Sequence, residues 1–415
     1  MPDSSDLSSA LQARPAPPPA KVAWSLVILL GALTGFAPMS IDMYLPSLPA
    51  IGREFGGTVG EAQLTLATFL AGLAIGQFFY GPASDRWGRR PPLLFGIGLY
   101  VIASAACALA TSIPLLMTAR FIQALGACAG PVIARAAVRD RYNARDSARA
   151  LSLLMLVMGL APVVAPFFGA ALLTVASWRA IFWVLFGFGL IMGVVTVFAL
   201  RETRSPETEA QARGEHPLRG YLALLSQRRL VGYMLSGAFN SAAIFAYVSA
   251  APGLVMGHYG VPAGRFVWIF GANAASMIAM SQVNAHLLRR ETPERILLRF
   301  RPLSLIFALA MLIGALTGIG GMWGVLVPLF FVFGAFGFIG PNTMAAGLSL
   351  DPLRGGSASA LIGGVQFGVG ALVSGLIALA SDNGPTPLAA VILGCMIAST
   401  AALYGVAQPK GAVGG

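Results

Sequence analysis

Gly81-Pro82-Ala83-Ser84-Asp85-Arg86-Trp87-Gly88-Arg89-Arg90-Pro91 lies between two long apolar stretches. It gathers Asp85, Arg86, Arg89 and Arg90 into a short segment of a chain in which only 10% of residues are charged. Such a segment is too short for a domain. It reads as a tight, charged connection between two membrane helices, a fixed latch. Gly81 and Gly88 permit tight turns and close backbone approach, and Asp85 is a carboxylate that a helix N-terminus would favour.

The flanking stretches belong to a series. The chain has 415 residues, 57% of them hydrophobic, whereas a soluble domain carries about 25% charged residues. Crossing a bilayer takes roughly 20 apolar residues for about 30 Å of hydrocarbon. Twelve stretches qualify, at 24–45, 63–80, 93–110, 115–138, 151–175, 180–200, 231–255, 266–287, 303–319, 323–348, 357–380 and 388–406. The fold class expected is therefore an all-α integral membrane protein. The net charge of +11 follows topology. Of the Lys and Arg residues, Arg53, Arg179 and Arg265 fall in outer segments and Arg120 and Arg135 within spans; all others fall in alternate segments that include both ends of the chain. This is the positive-inside pattern with both termini cytoplasmic, and no nucleic-acid partner is expected from it. Cys107, Cys128 and Cys395 lie far apart inside spans, without metal or disulfide spacing.

The hydrophilic break over 201–229 divides the spans six and six. The expected organisation is a disordered cytoplasmic tail over 1–23, a six-helix half over 24–200, a cytoplasmic loop over 201–229, a second half over 230–406 and a tail over 407–415. Residues 218–230 of the loop read as an amphipathic surface helix. Phe121, Ala127, Gly130 and Pro131 recur as Phe331, Gly337, Gly340 and Pro341 at a constant offset. Two six-helix halves joined by a parallel repeat is a layout of secondary transporters, with binding at the midplane between halves.

The quoted segment resembles the signature between the second and third helices of the major facilitator superfamily, Gly-x-x-x-Asp-Arg-x-Gly-Arg-Arg. The resemblance implies a twelve-helix major facilitator fold. It also implies that Asp85 meets the N-terminus of span eleven near Ser357, and that Arg89 and Arg90 pair with Asp140, holding the cytoplasmic side shut. Three further segments narrow it: Ser40-Ile41-Asp42-Met43-Tyr44-Leu45-Pro46, Arg120-Phe121-Ile122-Gln123-Ala124-Leu125-Gly126, and the run from Ala161 through Pro162 and Pro166 to Gly169 with Trp178-Arg179 beyond. Together these resemble the Bcr/CflA group of drug:proton antiporters, whose best-known member confers bicyclomycin resistance. The broader antiporter motif of span five has glycines where this chain has Ala161 and Ala165. Gly159, Pro162, Pro166 and Gly169 still share one helical face, so a close-packed hinge against the other half is expected there.

Asp42 and Arg120 are ionisable residues inside spans, which cost about 2.5–3.5 kcal/mol on insertion scales and default to function. Both are expected at similar depth in the outer part of the first half, as a proton-coupling carboxylate and its neighbouring cation. From Arg120, Gln123, Ala127 and Pro131 continue one face. Aromatics and amides at suitable depth, expected to line a substrate cavity, are Tyr44, Gln123, Asn240, Phe245, Tyr247, Asn273, Phe336, Asn342 and Gln366. There is no nucleotide-binding loop and no Ser/His/Asp grouping. The expectation is a proton-driven exporter of drug-like molecules in a bacterial cytoplasmic membrane, monomeric, without cofactor or metal and not an enzyme. The alternative is the same machine moving a small metabolite such as an amino acid or dipeptide.

Overall fold

The computed structural model describes residues 24–142, 144–204, 217–351, 354–380 and 384–408. The expected tail at 1–23, residues 409–415 of the tail expected at 407–415, and the middle of the central loop lie outside these, while Ala407 still belongs to the last helix. Twelve helices are long and apolar enough to cross a membrane: α1 (Trp24–Glu54), α2 (Val59–Trp87), α3 (Arg90–Ala108), α4 (Ile113–Arg141), α5 (Ala144–Val175), α6 (Arg179–Ala199), α7 (Arg228–His258), α8 (Ala263–Leu287), α9 (Pro293–Thr317), α10 (Gly321–Leu348), α11 (Gly355–Leu379) and α12 (Pro385–Ala407). A shorter linker helix, Pro217–Leu225, precedes α7. It covers the first part of the amphipathic segment expected at 218–230, whose remainder opens α7.

Most helices outrun their apolar stretches, because hydropathy marks where hydrocarbon ends and not where a helix must stop. One such extension falls at the quoted segment. Gly81 to Trp87 is not a loop but the last two turns of α2, and only Gly88 and Arg89 connect it to α3. Gly88 makes the reversal at φ 89°, a region an L side chain rarely adopts. The first turn of α3 then takes Pro91 and Pro92, where no helical N–H is needed. At its other end α2 begins with a capping box. The Glu61 amide donates to the Thr58 hydroxyl, and the Thr58 amide donates to the Glu61 carboxylate.

Helix α1 is segmented, running Trp24–Thr34, Phe36–Asp42, a 3₁₀ turn at Leu45–Ser47, and Leu48–Glu54. Prolines explain the breaks. Pro38 removes the N–H that would bond the Thr34 carbonyl, and Pro46 removes the one that would bond the Asp42 carbonyl. Asp42 thus ends a helical segment well inside the span, rather than near its outer end as expected from a span stopping at 45.

Each half gathers its own six helices, and the halves meet along α2 with α11 and α5 with α8, with the outer ends of α1 and α7 also touching. This pairing is what two parallel repeats related by a pseudo-two-fold axis would give. The repeated glycines sit at equivalent helix pairs but differ in closeness of packing. Gly130 of α4 packs on the Leu33 carbonyl of α1, and Gly340 of α10 faces Asn240 of α7. Side chains such as Leu190, Ile191 and Phe198 of α6, and Ile306, Ile313 and Leu316 of α9, remain exposed. They form the apolar surface a bilayer covers.

Candidate functional site

The polar centre of the first half is built on Arg120. Its side chain is fully buried. Nη1 donates to the Ser40 carbonyl at 2.9 Å and to Gln123 Oε1 at 2.8 Å. Gln123 Nε2 in turn donates to Ser104 Oγ at 2.8 Å, and the Ser40 and Tyr100 hydroxyls share a 2.8 Å hydrogen bond. The remaining nitrogens, Nε and Nη2, have no hydrogen-bond acceptor. They lie among aromatic faces, with the guanidinium carbon 4.1 Å from the Phe69 ring centre and 4.7 Å from that of Tyr44. Cation–π attraction strengthens when the cation is desolvated, and here it takes the place of a counter-ion.

Asp42 is not that counter-ion. It is 4% exposed, and among the described residues its carboxylate makes no hydrogen bond or ion pair. The expected proximity of Asp42 and Arg120 therefore does not become a contact. Helical rotation explains the difference: Ser40 presents its carbonyl to α4, and two residues later the side chain of Asp42 has turned about 200° around α1. The next residue, Met43, lies against Gly169 of α5, where a Cβ would collide with the Met43 carbonyl.

Of the four positions expected to form a hinge, Gly159 approaches Ile278 of α8 in the other half, whereas Gly169 packs on α1 within its own half. The face over Gly159, Pro162, Pro166 and Gly169 thus divides its packing between the two. Phe167 and Trp268 meet edge to face across the halves, ring centres 4.9 Å apart.

The cavity residues do not converge on one pocket. Tyr44 and Gln123 are held in the Arg120 cluster, with the Tyr44 hydroxyl 2.5 Å from that of Thr65. Asn273 donates to the Tyr247 hydroxyl at 2.8 Å, Tyr247 meets Phe333 edge to face, and Phe336 lies beyond Phe333. Phe245 pairs with Phe367. Asn342 donates to Asn284 Oδ1 at 2.7 Å, while Thr343 and Gln366 both approach Gly237 of α7. Asn240 Oδ1 and Asn342 Oδ1 are buried acceptors without a partner among the described residues.

At the inner end the quoted segment forms a charge cluster centred on Arg89. Its guanidinium donates to Asp140 Oδ2 at 2.7 Å, Asp85 Oδ1 at 2.5 Å and Ser84 Oγ at 2.8 Å. Burial alone would lower the Arg89 pKa, but the two carboxylates raise it overall, so the cation is secure. Asp85 turns to Arg89, not to the start of α11. Arg90 does not reach Asp140 but donates to the Val197 carbonyl of α6 at 2.6 Å. Gly81 approaches Ala360 of α11, so the latch still abuts the second half. Arg86 is exposed.

Glu202, just beyond α6, completes this cluster. Its carboxylate accepts from the backbone N–H groups of Arg89, Arg90, Thr203 and Arg204. Burial acts to raise its pKa, but the four amides outweigh burial and hold it below the usual carboxylate range. Arg204 meanwhile donates to the carbonyls of Asp85 and Arg86 at the end of α2. Glu202 thereby caps α3 and Arg204 caps α2, satisfying the free groups that helix ends leave. A Cβ on Gly88 would stand 2.5 Å from the Glu202 carboxylate. The only signal in the sequence is a lone acid in the run Arg201-Glu202-Thr203-Arg204, and the two α3 amides it caps, of Arg89 and Arg90, lie more than a hundred residues away.

A second buried cation also escapes the hydropathy pattern. Arg301, expected just before span nine, lies two turns inside α9 and is 1% exposed. Its Nη2 donates to Ser236 of α7 at 2.9 Å and to Ser399 of α12. The apolar run starts only at Leu303, which hides it.

The family profile of the Major Facilitator Superfamily matches residues 30–375. The chain is similar to the uncharacterized MFS-type transporter YdgK of Bacillus subtilis, 34% identical over 95% of this chain and 98% of that protein. It is also similar to a bicyclomycin resistance protein homolog of Haemophilus influenzae, 30% identical over 92% and 96%. The multidrug resistance protein MdtL of Klebsiella pneumoniae is 31% identical over 91% and 95%. Among solved structures, the xylose transporter XylE from E. coli, in a partially occluded inward open conformation, superposes with a TM-score of 0.71 at 16% identity, over 91% of this chain and 95% of that one.

Proposed function

This chain belongs to the Major Facilitator Superfamily, and from that premise we propose that it is a proton-coupled exporter of small drug-like molecules. It would work as a monomer, without cofactor, by alternating access across a bacterial cytoplasmic membrane. The observation that carries the proposal is Asp42, an unpartnered carboxylate in the bundle interior, placed where Pro46 breaks α1. An ionised carboxylate without a partner is poorly supported in an apolar interior, so its protonation depends on whether the cavity admits water or cargo. Proton and cargo would then compete for the outward- and inward-facing cavities, giving exchange. The drug-resistance relatives favour export of drug-like cargo.

A membrane potential supplies about 2.3 kcal/mol per charge per 100 mV, and about 1.4 kcal/mol is tenfold in concentration. One proton could therefore drive more than tenfold accumulation. The test is uphill export of chloramphenicol-like and dipeptide-like compounds by everted vesicles under an imposed pH gradient. Asp42→Asn is expected to lose pH-driven export while keeping downhill exchange. Uphill export by Asp42→Asn at the wild-type level would remove Asp42 from coupling.

A further inference from the structure

The linker helix Pro217–Leu225 is fastened to the second half. Leu224 is buried in one cluster with Leu230 and Met234 of α7 and Ala358 and Leu361 of α11. Gly220 lies over the start of α11, where a Cβ would stand 3.8 Å from the Ser357 hydroxyl. Gln227, between the linker helix and α7, donates to the Asp351 carboxylate at 3.0 Å, and that carboxylate also accepts from the Arg354 amide at the head of α11.

Tyr221 carries this helix across to the first half. Its ring meets Phe78 of α2 edge to face, with ring centres 5.8 Å apart. The Tyr221 hydroxyl is buried and has no hydrogen-bond partner among the described residues, so the contact rests on the ring. Phe78 also fills the space that Gly364 of α11 leaves open, since a Cβ there would collide with Cζ of the Phe78 ring. Phe78 is thus held by two walls, Gly364 and Tyr221, and neither belongs to its own half. Among the described residues no hydrogen bond or ion pair joins α2 to α11 or to the linker helix. Packing alone therefore keeps these inner ends together.

We propose that the linker helix is a strap across the inner ends of the two halves, buckled to α2 by the Phe78 ring between Gly364 and Tyr221, and that this buckle governs how readily the inner side opens. For the inner side to open, α2 must leave α11 at that end, and Phe78 must then leave both of its partners. An aromatic pair stabilises beyond the apolar area it buries. The buckle therefore favours the population with the inner end closed, and weakening it moves the balance the other way. The strap rests on alternating access in the reading above and needs neither proton coupling nor a particular cargo.

The test is cysteine labelling of the full-length protein in membranes, in a background lacking Cys107, Cys128 and Cys395. Ala360→Cys reports the inner end, where Ala360 faces Gly81, and Ala378→Cys reports the outer end, where the Ala378 carbonyl packs on Gly60. Both positions are buried. A membrane-impermeant maleimide is applied to the inner end in everted vesicles and to the outer end in right-side-out vesicles. Tyr221→Ala is expected to raise the labelling rate at the inner reporter by at least about threefold and not to raise it at the outer one. Tyr221→Phe should label as the parent does, because the lost hydroxyl has no partner. Phe78→Leu removes the other ring while keeping an apolar side chain, and it should raise the inner rate likewise; it stands in if Tyr221→Ala does not fold. An unchanged inner rate in either folded variant overturns the proposal. So does a rise at both ends, which is general loosening and not release of one end. An inner rise in a protein that fails pH-driven export would support the strap and count against the exporter reading alone.

Discussion

Arg120 holds three parts of the first half together through one guanidinium: the Ser40 carbonyl of α1, Gln123 of its own helix, and the aromatic faces of Tyr44 and Phe69. Lysine keeps the charge but has no planar face to stack and no fork to span two acceptors. Arg120→Lys is therefore expected to destabilise the protein by about 1–3 kcal/mol, read as a fall in thermal midpoint in detergent. Gln123→Leu should reproduce part of that fall, because it removes an acceptor from Arg120 Nη1 and a donor from Ser104 Oγ. That Asp42 and Arg120 lie inside the bundle was legible in the sequence, since a charge inside an apolar run stands out. Their lack of contact was not legible. It depends on which side of α1 each residue presents, and that orientation follows from a proline-broken helix whose rotation no periodicity reveals.

The α2–α3 connection was legible as a family signature but misjudged as an element. Its charges suggested a loop, yet helical hydrogen bonds continue past the apolar boundary and leave a two-residue reversal. Gly88 is irreplaceable there for two reasons, its φ of 89° and the Glu202 carboxylate beside it. Gly88→Ala is expected to destabilise the connection by about 1–2 kcal/mol and to change turnover while leaving the order of substrate preference unaltered, as a transport panel would show. Glu202→Gln should shift turnover in the same direction. Because the folded-state pKa of Glu202 lies below its unfolded value, its contribution is present above the ordinary range near about 4.3. It disappears as pH falls through the lower folded value. Hydrogen exchange at the Arg89 and Arg90 amides should thus keep its protection, corrected for intrinsic rate, down to that range and lose it only below. Arg89 with Asp140 could be foreseen from the signature. Glu202 could not, because its partners are brought to it only by the packing of α6 beside α3.

Across the whole molecule, α2 and α11 stay in contact from one end of the membrane to the other. A Cβ on Gly375 would lie 3.9 Å from that of Ala67, and one on Gly81 3.8 Å from that of Ala360. Both separations fall in the disulfide range of about 3.5–4.5 Å. In a background lacking Cys107, Cys128 and Cys395, the pairs Ala67→Cys with Gly375→Cys and Gly81→Cys with Ala360→Cys should each cross-link under oxidation. Each cross-link should stop transport and reduction should restore it, since alternating access must part the halves at one end and then the other. Transport that persists through either cross-link would mean this contact does not open. The twelve-helix architecture was legible because hydropathy and basic-loop asymmetry both count spans; the meeting of α2 with α11 rests on packing of small residues, which carry no such periodic mark. One consequence reaches back to biogenesis. Arg301 of α9 shares its charge with Ser236 of α7 and with Ser399 of α12. When α9 leaves the ribosome, one of those hydroxyls is already in the membrane and the other has yet to be synthesised. The packing around Arg301 is therefore complete only once α12 is in place, and a chain ending before α12 would leave this guanidinium with Ser236 but without Ser399.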